Sequence, residues 1–87
     1  MMVFQMRRGV RRVMDRDAWI KLGEGLPLRP CTLADLSDSG AKLKFEDQEN
    51  GEIPHAFDLL LTRHGHPSYP CRVVWRKANV IGVQFVD

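Results

Sequence analysis

After the basic N-terminal stretch, apolar residues in this chain recur with a period of two in short runs, and no segment keeps a 3.6-residue stripe for long, which argues for a fold built from β-strands. Alternating runs of five to nine residues, separated by turn formers, predict strands near 17–22, 30–36, 41–45, 56–62, 69–77 and 80–86. The alternation is clearest at the end. There Cys71, Val73 and Trp75 face one way and Arg72 and Arg76 the other, followed by Ile81, Val83 and Phe85 alternating with Gly82 and Gln84. This reading puts Trp75 in the core. Between these two strands, Ala78-Asn79 predicts a tight hairpin in which Asn tolerates the positive φ required. Gly23-Glu24-Gly25 closes the first hairpin, residues 46–52 form a solvated acidic loop, and His64-Gly65-His66-Pro67 is a further turn.

Six short antiparallel strands in 87 residues predict an all-β domain closed as a six-stranded antiparallel β-barrel, because open edges invite association. The charge divides the chain. Residues 1–16 carry five arginines against Asp15, whereas residues 17–87 carry eight basic and ten acidic residues. The organisation expected is a flexible basic arm, 1–16, followed by a barrel domain, 17–87, with an anionic partner at the arm.

No apolar run approaches the ~20 residues of a membrane span, and no apolar stretch of about 7 to 15 residues follows the N-terminal charges as a secretory signal would. The expectation is a cytoplasmic protein with no membrane insertion. Cys31 and Cys71 lack metal-ligand spacing and read as buried apolar residues. His64 and His66 have no third ligand nearby and read as a solvated loop tip, so no metal is expected.

Two polar motifs stand out from the strand pattern: Arg7-Arg8-Gly9-Val10-Arg11-Arg12, and Asp35-Leu36-Ser37-Asp38-Ser39-Gly40. Arginine presents a planar fork that meets phosphate oxygens or the O6/N7 edge of guanine in a bidentate way. Arg8 and Arg12 make an RxxxR pair preceded by Arg7, with Arg7 and Arg11 as the alternative register. An ionised Asp35 is acceptor-only and matches the N1–H and N2–H donors of guanine. Ser37 can donate to a phosphate oxygen, and Gly40 permits a positive φ or close approach to a ligand. Together the motifs suit a guanine joined to phosphate. No nucleophile–base arrangement points to catalysis. A nucleic-acid binder would show several stacking aromatics and a basic groove, whereas aromatics here are 8% of residues and the body is net acidic.

RxxxR, then a strand, then DxSxxG in a small β domain resembles the PilZ domain family. The resemblance runs over nearly the whole chain and includes the closing hairpin, Cys71-Arg72-Val73-Val74-Trp75-Arg76 and Ile81-Gly82-Val83-Gln84-Phe85. It implies a six-stranded barrel that binds cyclic di-GMP as a non-enzymatic receptor or adaptor in bacterial signalling, acting on a downstream protein target. By the same resemblance the ligand-binding residues are Arg7, Arg8, Arg12, Asp35, Ser37 and Gly40. An arginine at the position of Arg7 implies two intercalated ligand molecules per chain. The alternatives are a PilZ-like interaction module without ligand, or a small-barrel nucleic-acid binder.

Overall fold

The computed structural model of the protein describes residues 12–46, 53–64 and 67–86, with the backbone alone for residues 12–14. The chain forms six strands: β1 (Arg12–Lys21), β2 (Arg29–Leu36), β3 (Gly40–Lys44), β4 (Ala56–Leu60), β5 (Ser68–Lys77) and β6 (Val80–Phe85). All neighbours are antiparallel, and the order β1-β2-β3-β6-β5-β4 closes into a barrel. The all-β barrel expected from the alternation is therefore what forms. No helix long and apolar enough to cross a membrane occurs among the described residues.

The strands lie where the alternation puts them, with one substantial difference. β1 begins at Arg12 and not near residue 17, so the last arginine of the cluster is already within the sheet. The remaining cluster arginines, Arg7, Arg8 and Arg11, lie outside the described residues, as do residues 1–11 of the 1–16 arm expected to be flexible. The barrel closes over a short seam, where Trp19, Ile20 and Lys21 pair with Leu60, Leu59 and Asp58. Beyond the seam, an Arg16 guanidinium nitrogen donates to the Leu61 carbonyl at 3.1 Å.

Inward positions fill the core with branched aliphatic side chains. Ile20, Leu33, Leu43, Leu59 and Ile81 are each fully buried, and each such side chain stabilises the fold by about 1.5–3 kcal/mol. Cys31 and Cys71 are free and buried, as expected. Desolvation pushes both thiols up to about 12.

Two details of the closing hairpin differ from the alternation reading. Trp75 is not core: it is 44% exposed. Val73 pairs with Val83 but Trp75 pairs with Gly82, so one extra residue on β5 forms a bulge that reverses the facing of the strand beyond it. Val74 is exposed as well, and the Trp75 indole lies over Gly82, where an added Cβ would fall 2.1 Å from Nε1. In the turn, the positive φ belongs to Ala78, at 54°. Asn79 contributes through hydrogen bonds instead. Its Nδ2 donates to the Phe45 carbonyl at 2.6 Å, and its own carbonyl accepts from Phe45 N at 2.8 Å, clipping the hairpin to the end of β3.

Candidate functional site

The DxSxxG motif spans the end of β2 and the start of β3, and a second bulge sets its geometry. Leu33 pairs with Leu43, but Asp35 pairs with Lys42, so β2 carries one more residue than β3 across this step. Continuing the earlier register would set Asp35 opposite Ala41. The extra residue sets it opposite a cation instead, and Lys42 Nζ approaches Asp35 Oδ2 at 3.4 Å. The Asp35 side chain is only 10% exposed, against 42% for Lys42, so a largely buried carboxylate meets a half-exposed ammonium. Such a carboxylate needs a compensating partner, because unpaired burial of charge is strongly unfavourable.

Ser37 organises the adjoining turn. Its N–H donates to the Gly40 carbonyl at 2.9 Å. Its Oγ accepts from Gly40 N at 3.2 Å and lies 3.3 Å from the Gly40 carbonyl, which it can serve as donor. Ser39 contributes a longer contact from its N–H to the same Oγ, at 3.4 Å. Ser37 is 5% exposed, and among the described residues no buried side-chain nitrogen or oxygen lacks a hydrogen-bond partner. The hydroxyl expected to meet phosphate is thus engaged within its own turn, and donation to a phosphate would replace its donation to the Gly40 carbonyl.

Of the two roles expected of Gly40, a positive φ or a close approach to a ligand, the first does not occur, since among the described glycines the left-handed φ belongs to Gly25. A Cβ at Gly40 would lie 2.1 Å from the Val83 carbonyl oxygen, so the need is close backbone approach between β3 and β6. The Phe85 N–H donates to the Ser39 carbonyl at 2.8 Å, which fixes the turn against β6.

The arginine motif reaches this turn through β1. Val13 pairs with Asp35 and Arg12 with Leu36, so the backbone of Arg12 lies directly across from the residue between Asp35 and Ser37. A bulge between Val13 and Arg16 precedes the regular part of β1 and contains Asp15 at a φ of 57°, a left-handed conformation that Asp tolerates better than most residues. Of the residues expected to bind ligand, Asp35, Ser37, Gly40 and the backbone of Arg12 come together, while Arg7 and Arg8 lie outside the described residues.

Lys42 is the member of this cluster that sequence reasoning missed. It sits between Ala41 and Leu43 in an alternating strand and reads there as an ordinary outward lysine. Its pairing with Asp35 depends on the β2 bulge, which leaves no mark in the hydrophobic pattern.

A separate cleft of about 650 Å³ opens at the other end of β1 and β2, lined by Leu22, Leu28, Arg29, Cys31, Lys44 and Phe45 among others. The Arg29 guanidinium lies 5.8 Å from the Phe45 ring centroid. This cleft contains no residue of either motif. Among the described residues no group of three or more His, Cys, Asp or Glu side chains could hold a metal ion.

No curated protein matches the chain. The family model of the PilZ domain matches residues 5–87, which takes in both motifs and all six strands. The chain belongs to the PilZ domain family.

Proposed function

We propose that this chain is a non-catalytic receptor for cyclic di-GMP that alters its conformation or its choice of protein partner when it captures ligand. PilZ domains are receptor and adaptor modules, and family membership supports this class over an enzyme. The observation that carries the reading is the β1–β2 register, which sets Arg12 across from Leu36 between Asp35 and Ser37. Pairing between β1 and β2 thereby sets the backbone of Arg12 beside the Asp35–Ser37 segment, which supports assigning both to one site.

In this reading Arg8 and Arg12 grip phosphate and the O6/N7 edge of guanine, while Asp35 accepts from N1–H and N2–H. Ser37 meets phosphate after releasing its turn contacts, and Gly40 keeps the turn flush against β6. Arg7 offsets the phosphate charge of a second, intercalated ligand, giving two molecules per chain. The setting is the bacterial cytoplasm, and the output passes to a downstream protein target.

Calorimetric titration of the full chain with cyclic di-GMP, cyclic di-AMP and a single-stranded oligonucleotide tests this reading. The expected result is a stoichiometry near two for cyclic di-GMP and at least ~100-fold weaker binding of cyclic di-AMP, whose base lacks the N1–H donor. A ratio of one removes the ligand pair and the role of Arg7. No heat with any ligand favours an interaction module, and preference for the oligonucleotide favours nucleic-acid binding.

A further inference from the structure

A carboxylate that reads a base edge must be ionised and must also point correctly. The terminal torsion of Asp is broad and roughly two-fold, so position in the strand does not by itself orient the two oxygens. In this barrel a charged contact that can orient it comes from β3, where Lys42 Nζ lies 3.4 Å from Asp35 Oδ2 through the pairing created by the β2 bulge. A carboxylate has about four lone-pair sites, so it can accept an ammonium donor and a pair of base donors together. The ammonium stem is half exposed and the carboxylate nearly buried, which lets the lysine hold the acid from the solvent side.

We infer that Lys42 is the positioning residue for guanine recognition: it holds Asp35 in the orientation that accepts N1–H and N2–H together, and so sets selectivity for the exocyclic amine. This rests on the reading of Asp35 as the guanine acceptor. A lysine that merely attracted phosphate would strengthen binding of every cyclic dinucleotide equally. A lysine that orients Asp35 acts on the two-point contact and therefore on the ratio between bases.

The test compares the affinities of the full chain for cyclic di-GMP and for cyclic di-IMP, whose hypoxanthine lacks the exocyclic amine. The wild type prefers cyclic di-GMP by roughly tenfold or more, the worth of one hydrogen bond to a charged acceptor. Lys42→Met narrows that ratio to about twofold, Lys42→Arg restores it, and Lys42→Gln, which can still donate to Asp35, falls between. In an Asp35→Asn background Lys42→Met leaves the ratio unchanged, as a coupled pair requires. Should Lys42→Met not fold, Lys42→Gln decides alone. A wild-type ratio retained in either folded variant overturns the role of Lys42 and leaves the receptor reading standing. A wild type that binds neither dinucleotide overturns both.

Discussion

The β2–β3 corner and the β5–β6 hairpin use the same device to opposite effect. Each contains a strand with one extra residue, before Asp35 in β2 and before Trp75 in β5. In β2 the extra residue sets a carboxylate against Lys42 and leaves it nearly buried beside the Ser37 turn. In β5 it turns a tryptophan out of the core and lays its ring over Gly82 on the barrel's outer face. A bulge changes which face a side chain takes, and the side chain present decides whether the result is a polar site or an exposed aromatic. Both regions also contain a glycine in tight contact, Gly40 against the Val83 carbonyl and Gly82 against the Trp75 indole. The obstacle at Gly40 is backbone and that at Gly82 is a side chain with 44% of its residue surface exposed, so the two should respond differently to the same substitution.

Gly40→Ala should give the largest effect, a loss of about 3 kcal/mol in chemical denaturation, because the Cβ can be accommodated only by separating β3 from β6. A loss below about 1 kcal/mol would show that the corner yields as easily as the hairpin and would break the contrast. Next comes ligand affinity. Arg12→Ala should weaken cyclic di-GMP binding by roughly 10- to 150-fold with the melting temperature little changed, the range expected for charge-assisted hydrogen bonds. Full affinity in Arg12→Ala together with a large loss in Arg11→Ala would move the pair to the Arg7/Arg11 register.

Gly82→Ala should cost only about 1 kcal/mol, since the indole can swing away from the new methyl group, and Trp75 fluorescence should shift as it does so. A cost equal to that of Gly40→Ala, with unaltered fluorescence, would mean the ring is locked. The smallest effect is expected from Trp75→Ala, about 1 kcal/mol or less, because the side chain is largely outside the core. The 3–5 kcal/mol typical of a buried aromatic would instead support the placement that alternation implies.

Much of this molecule is legible without coordinates. Period-two alternation marks all six strands, because a strand with one face on a core must place an apolar side chain at every second position. The polar clusters stand out because they interrupt that pattern, and their residue types suit the anion and guanine chemistry proposed above. Where the sequence misleads, the cause is local and physical. Alternation assigns Trp75 to the core because it assumes an unbroken pleat. Ala78-Asn79 suggests positive φ at Asn79, yet Asn79 bonds to Phe45 at the end of β3 and the positive φ falls on Ala78.

Residue type and spacing by themselves determined the fold class, the strand order along the chain and the functional groups gathered in the two motifs, since these stem from side-chain facing and residue identity. The tertiary structure decided the register: that Arg12 lies across from Leu36, that Asp35 meets Lys42, that Gly40 is required by the Val83 carbonyl, and that Trp75 faces out. Register depends on where an extra residue can be absorbed while six strands close around one core. That is a property of the whole barrel, and no single strand records it.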